Sequence, residues 1–120
     1  SAAGRWEVGS DKLPTRRVDH PGRHQTLESL TVDHCFEGWG GVLTLQDSVM
    51  RVRVSSALRH LVVYTTPQRD NIAVEPVSHV NNALNLMTQT GARAEDLGVV
   101  ILQAGQTYSC EMRIEVERTV

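Results

Sequence analysis

The chain has 120 residues, with 12 Lys plus Arg and 14 Asp plus Glu, so its formal net charge is -2 with histidine neutral. This near balance gives no strong field for nucleic acid or an anionic membrane, and no apolar run approaches the ~20 residues of a membrane-spanning helix. The two cysteines are too few for a disulfide scaffold, so we expect reduced thiols in a cytoplasmic protein.

The first part of the chain is predicted to form short strands joined by turns, because alternating segments are separated by clusters of turn-forming residues. Pro14 favours extended backbone before it, since the residue preceding a proline avoids the helical region. Leu27 and Leu30 are three apart, so one helical turn is an alternative there. The expected extended segments are residues 5–8, 13–18 and 30–36, followed by the glycine-rich loop 37–41.

The remainder continues the same pattern. Asp47-Ser48 lies between two alternating segments and predicts a hairpin, although its turn lacks the glycine of the strongest hairpin signals. Arg51 and Arg53 are expected on a solvated face of the second segment. The expected strands are residues 42–46, 49–54, 59–65, 72–74, a buried 98–102 and a half-buried edge or outer-sheet strand at 108–117, with a short helical turn at 81–87.

No segment shows a helix-length apolar period, and no linker or repeat divides the chain. The sequence therefore predicts one all-β, antiparallel, sandwich-like region over residues 1–120, with no helix longer than about three turns.

Glu75 is the most informative single residue. It follows the β-branched, apolar end of a predicted strand, and Pro76 after it cannot donate a ladder hydrogen bond. This pattern predicts a carboxylate held at a strand end and pointed out of the sheet, which is the geometry that a general base needs. An ordinary exposed glutamate at a strand terminus is the alternative.

A set of residues around Glu75 resembles a known family. Tyr64-Thr65 and Pro67, then 74–77, His79, Ala83 and Asn85, are similar in order and spacing to the C-terminal signature of aldose 1-epimerases, the galactose mutarotase-like enzymes. The segments 13–15, 32–36, 62–65 and 100–106 resemble further parts of the same region. The chain is thus similar to the C-terminal portion of a larger antiparallel sandwich whose sugar site lies on a concave sheet face.

The resemblance implies a carbohydrate isomerase that interconverts the α and β anomers of an aldose by opening and closing its ring. It implies that Glu75 is the catalytic base and that Asp33 accepts hydrogen bonds from sugar hydroxyls. A turn-capping aspartate before the glycine-rich loop is the alternative for Asp33. The family's acid is a histidine from an earlier segment, and nothing in this sequence matches it. The implied partners are therefore a monosaccharide and an N-terminal portion of the same protein, without a cofactor, and the 120 residues alone are expected to be inactive.

The sequence departs from the family at one selectivity position. Val62 stands where sugar-specific members have a glutamine, so one hydroxyl contact is expected to be lost. The identity of the sugar is left open by this difference.

Two further residues are assigned to substrate binding, each with a structural alternative. His34 could border the site or serve a structural role, and Trp39 could stack on a sugar face or pack within its own loop. His79 is expected near the site without a catalytic role. His20 and His24 are expected to be loop residues and not metal ligands, because Pro21-Gly22 between them breaks any helix that would align them.

Two non-enzymatic hypotheses stay open beside the isomerase. One is a carbohydrate-binding sandwich that keeps Asp33 and Trp39 but never epimerises its ligand. The other is a purely structural sheet. An upstream histidine in the same protein favours the enzyme over the carbohydrate-binding sandwich.

Overall fold

A computed structural model describes residues 2–21 and 26–119 of the chain. In this part of the chain the structure is mostly β, with one short α-helix and one 3-10 turn over Leu27–Ser29. The eight strands are β1 (Ala2–Val8), β2 (Pro14–Pro21), β3 (Asp33–Glu37), β4 (Val42–Gln46), β5 (Met50–Ser56), β6 (His60–Thr65), β7 (Ile72–Val77) and β8 (Met112–Arg118), and the helix α1 is Ala83–Thr90.

The strands form two antiparallel sheets. The five-stranded sheet has the order β2-β1-β3-β6-β7, and the three-stranded sheet has the order β4-β5-β8. All strand pairs are antiparallel, which confirms the predicted all-β, antiparallel class. Among the described residues, no helix has both the length and the apolar composition to cross a membrane.

Each face of the five-stranded sheet supports a separate apolar core. On one face, helix α1 and the segments flanking it cover Trp6, Cys35 and Val62 together with Leu86 and Leu97. The other face carries a cluster formed by Val32, Leu61 and Val63, with partly buried neighbours from both sheets packed against it. Strand β6 contributes to both clusters, because its successive side chains point to opposite faces of the sheet.

The predicted hairpin between β4 and β5 is confirmed, and its turn has a specific chemical basis. Asp47 Oδ1 accepts hydrogen bonds from the backbone N–H groups of Val49 at 2.7 Å and Met50 at 2.8 Å. These two hydrogen bonds lower the pKa of the Asp47 carboxyl below its ordinary value. The turn between β4 and β5 has no glycine, and the Asp47 side chain stabilises it instead by accepting hydrogen bonds from the backbone two and three residues later.

The prediction that Pro76 ends the strand at Glu75 is wrong, because β7 continues to Val77. The Thr65 N–H donates to the Val32 carbonyl, so odd-numbered β6 residues bond β3 and even-numbered ones bond β7. Glu75 therefore bonds β6, while the backbone of Pro76 faces the outer edge. A proline is tolerated on that side of an edge strand because it has no ladder hydrogen bond to lose.

The predicted buried strand at 98–102 is also wrong. Residues 99–103 have no regular secondary structure, and the Val100, Ile101 and Leu102 side chains are 44%, 65% and 50% exposed. Gly98 has a positive φ of 76° that turns the chain after Leu97. A short apolar run indicates burial only when a partner strand is available beside it, and local sequence does not provide that information.

The last strand and the helix differ in their bounds from the predictions. β8 begins at Met112 and not at residue 108, and it is the expected edge strand, but its residues are exposed throughout. The helical turn predicted at 81–87 extends into the eight-residue α1, which ends at Gly91 in a left-handed conformation. The helix is shorter than three turns, as predicted.

Gly98 provides a test of the packing between the chain after α1 and the five-stranded sheet. A Cβ there would lie 2.7 Å from His60 Cε1 and would also meet the Ser78 carbonyl oxygen. We expect Gly98→Ala to destabilise the protein by ~3 kcal/mol or more. Alanine disfavours the left-handed backbone conformation of this position, and its Cβ would also clash with the Ser78 backbone.

Gly105→Ala is the matched control, since Gly105 also has a positive φ but a Cβ there has open space around it. It should cost only about 1–2 kcal/mol. Urea unfolding measures both free energies, and equal losses for the two variants would contradict the described packing.

Candidate functional site

Two predicted site residues, Asp33 and Glu75, lie on the same face of the five-stranded sheet. Across strands β3, β6 and β7, one row of directly opposite residues is Asp33, Tyr64 and Ala73. The next row on the same face is Cys35, Val62 and Glu75. Residues directly opposite each other on neighbouring strands share a face, and residues two apart on one strand do too. We call the group Asp33, Tyr64, Ala73 and Glu75 the acidic corner.

The acidic corner is the open end of an otherwise covered face. Cys35 and Val62 are buried beneath the layer that contains α1, whereas Asp33 and Glu75 are exposed and Tyr64 is 39% exposed. Two strand spacings of ~4.8 Å and a two-residue offset place the Asp33 and Glu75 Cα atoms about 12 Å apart. Tyr64 lies between the two carboxylates, so its ring and both acids face the same solvent region.

Glu75 differs from the other two glutamates of this sheet in its electrostatic surroundings. Glu7 pairs with Arg5, and Glu37 pairs with Arg17. Within residues 2–21 and 26–119, the Glu75 side chain has neither an ion pair nor a hydrogen bond. Its carboxylate oxygens are therefore free to accept hydrogen bonds from a ligand, since an ionised carboxylate only accepts.

His34 lies on the opposite face from the acidic corner, because it follows Asp33 directly on β3. Its Nδ1 accepts a hydrogen bond from the Asp33 N–H at 3.3 Å, so a neutral ring carries its proton on Nε2. Nε2 is 3.8 Å from Glu7 Oε2. Burial lowers the pKa of the His34 imidazole, and nearby Arg5 lowers it further. The structure does not bring His34 together with Glu75.

Trp39 lies in the loop between β3 and β4, away from the acidic corner. Its Nε1–H donates to the Leu58 carbonyl oxygen at 2.8 Å, and its ring packs against the core cluster that contains Leu61. The half-buried ring lines a cleft of about 440 Å³, whose walls also include Arg17 and Glu37. The described contacts of Trp39 are therefore those of a residue that packs within its own protein, which is the alternative to stacking on a sugar.

His60 is a buried polar residue that the sequence reasoning did not single out. Its side chain is 0% exposed, and its Nδ1 is 3.2 Å from the Ser78 carbonyl oxygen. A carbonyl only accepts, so Nδ1 carries the proton, and Nε2 lies 3.6 Å from Glu37 Oε2. Burial lowers the pKa of the imidazole. The sequence did offer a signal for this position, because side-chain alternation along β6 predicts His60 on the same face as the apolar Val62.

The Glu37 carboxylate links this buried histidine to the surface. It accepts a hydrogen bond from Arg17, whose Nη1 is 2.9 Å from Asp19 Oδ1. The Arg17 hydrogen bond to Glu37 is the main reason why the pKa of the guanidinium is raised. The group joins β6, β3 and β2, so it contributes to the alignment of these strands. The His60 side chain itself is fully buried and cannot touch a ligand.

The two remaining candidates are a thiol and a second cleft. Burial raises the pKa of the Cys35 thiol to about 12, so it is neutral and unreactive at ordinary pH. A cleft of about 380 Å³ lies between the 3-10 turn and the β6–β7 loop, with Thr65 and Ile72 in its wall. Ile72 packs against the cluster containing Leu61, so this cleft opens on the opposite face from the acidic corner.

His79 lies outside the two sheets and belongs to no assembled site among the described residues. His79 is exposed, and its Nδ1 is 2.8 Å from Ser78 Oγ. The prediction that His20 is a loop residue is wrong, because β2 extends to Pro21, and His24 lies outside the described residues. No group of three or more His, Cys, Asp or Glu side chains in the described part of the chain is arranged to hold a metal ion.

Comparisons of this chain with protein-family models, with curated proteins and with solved structures found no match.

Proposed function

We propose that the acidic corner binds a monosaccharide. The observation that carries this proposal is the register that places Asp33, Tyr64 and Glu75 together at the open end of one sheet face. Carboxylates accept hydrogen bonds from the hydroxyls of a sugar, and the Tyr64 ring between them offers an apolar surface for its C–H groups. The resemblance to aldose 1-epimerases supports the same ligand class through Asp33 and Glu75.

The proposed ligand is a neutral aldose. Two free carboxylates would repel a phosphate or another carboxylate, whereas they suit the several O–H donors of an uncharged sugar. In this proposal Asp33 and Glu75 bind hydroxyls at the two ends of the ring. His34 and Trp39 take no part, since they lie on the other face and in a separate loop.

Epimerisation of the bound sugar is a second candidate function, and the unpaired Glu75 carboxylate favours it. A general base has to be ionised and unoccupied to take the proton of the anomeric hydroxyl. In this proposal the acid that protonates the ring oxygen comes from an N-terminal portion of the same protein, and the two sheets belong to the C-terminal part of a larger cytoplasmic β-sandwich.

The binding proposal predicts that Asp33→Asn weakens aldose affinity, because it replaces one acceptor oxygen by an amide donor. We expect the Kd for galactose or glucose to rise about tenfold, which corresponds to one hydrogen bond to a charged group. Isothermal titration calorimetry measures this change. Asp70→Asn, at an exposed position of the β6–β7 loop, is the matched control, and equal affinities for all three proteins would contradict the assignment.

The epimerisation proposal predicts a dependence on Glu75 when an acid is supplied from solution. In imidazole buffer the chain should accelerate the mutarotation of α-galactose, and Glu75→Gln should reduce that acceleration by about tenfold or more, since a positioned base contributes ~10²–10⁴-fold. Polarimetry follows the reaction.

Glu111→Gln removes another exposed glutamate and should leave the rate unchanged. Parent and Glu75→Gln proteins that add equally to the buffer rate would exclude Glu75 as the base. Such a result would leave the binding proposal standing if calorimetry still detected sugar.

A further inference from the structure

Strand β8 is an edge strand whose outer backbone groups are directed away from the protein. The three-stranded sheet ends on β8 in the described part of the chain. The Thr119 N–H donates to the Val49 carbonyl at 3.0 Å, so the odd-numbered residues of β8 bond β5. The even-numbered residues Met112, Ile114 and Val116 therefore direct their N–H and C=O groups outward, as a template for another strand.

The side chains of β8 are segregated between its two faces. Met112, Ile114 and Val116 are 51%, 55% and 64% exposed and continue the apolar face that includes the buried Val54. The other face carries Arg113, Glu115 and Glu117 together with the β5 arginines. A partner strand for this edge therefore has to offer apolar residues on one face and alternating charges on the other.

The sequence of β8 meets that requirement for a second copy of itself. In an antiparallel pair with Ile114 opposite Ile114, Met112 lies opposite Val116 on the apolar face. On the charged face, Arg113 of each strand lies opposite Glu115 of the other. Within residues 112–116 both charged pairs are therefore of opposite sign, and all three apolar pairs match. Glu117 lies opposite Glu111 of the other copy, which precedes the strand.

We propose that two copies of this chain associate through β8 in this register. The pairing joins the two three-stranded sheets into a continuous six-stranded sheet with the central order β5-β8-β8-β5. The two β8 strands bond each other through their even-numbered residues, whose backbone groups have no strand partner among residues 2–21 and 26–119 of a single copy. The acidic corner is on the other sheet and stays accessible in the dimer.

Moving the two-fold axis by one or two residues toward the C-terminal end of β8 gives poorer pairs. With Glu115 at the centre, two glutamates face each other and Met112 lies opposite Arg118. With Val116 at the centre, Glu115 lies opposite Glu117 on both sides. Like charges directly opposite each other inside the paired strands are destabilising, so the charge pattern favours the register centred on Ile114 over these two.

Charge reversals test the dimer and its register together. Glu115→Arg places Arg opposite Arg in the homodimer, and Arg113→Glu places Glu opposite Glu. Each variant alone should dimerise about tenfold or more weakly than the parent chain, because two favourable pairs become unfavourable. Mixing the two folded variants should restore association, since each Arg then meets a Glu of the other chain. Sedimentation equilibrium measures all four dissociation constants: those of the parent homodimer, the two variant homodimers and the mixed dimer.

Glu95→Arg is the matched control, because Arg93 and Glu95 form the same two-residue ion pair at an exposed site away from β8. It should leave dimerisation unchanged. Circular dichroism and thermal unfolding identify any variant that fails to fold, and a folded Arg113→Glu homodimer as tight as the parent would overturn the proposal. A parent chain that is monomeric at every concentration, or a mixture of folded variants that does not associate, would overturn it too.

Discussion

The fold depends on the burial of strand β6 on both of its faces. Leu61 and Val63 point into one core cluster, while His60 and Val62 point to the side covered by α1. A slip of one residue would exchange these two sets and move His60 into an apolar cluster without its carbonyl partner. Because β3 and β7 pair with β6, this one register also determines which residues of those strands share a face. The acidic corner is a direct consequence of it.

His60 adds polar specificity to this register. Its Nδ1 bond to the Ser78 carbonyl connects the start of β6 to the residue that follows β7, and the absence of a side chain at Gly98 leaves room for the ring. A buried imidazole without that bond would be costly, so alternative alignments of β7 against β6 are disfavoured. The layer that covers Cys35 and Val62 is therefore positioned by a hydrogen bond as well as by apolar contact.

Sequence reasoning identified the local elements better than the long-range ones. The β4–β5 hairpin and β6 were predictable because their alternation and turn residues are local. The apolar run at Val100–Leu102 was not predictable, since a strand exists only beside a partner strand, and that partner is often distant in sequence. Among the candidate site residues, the alternation of side chains along a strand already predicts that His34 and Asp33 lie on opposite faces of the sheet. That Glu75 joins Asp33 on one face depends on the pairing of three strands, which local sequence does not determine.

The claim that the acidic corner is the ligand-binding face is tested most directly by mapping an aldose titration with backbone amide chemical shifts. The account predicts that the largest shifts occur at Asp33, Tyr64, Ala73 and Glu75, and that the amides around Trp39 change little. Shifts confined to the Trp39 cleft, or no shifts at a saturating sugar concentration, would contradict it.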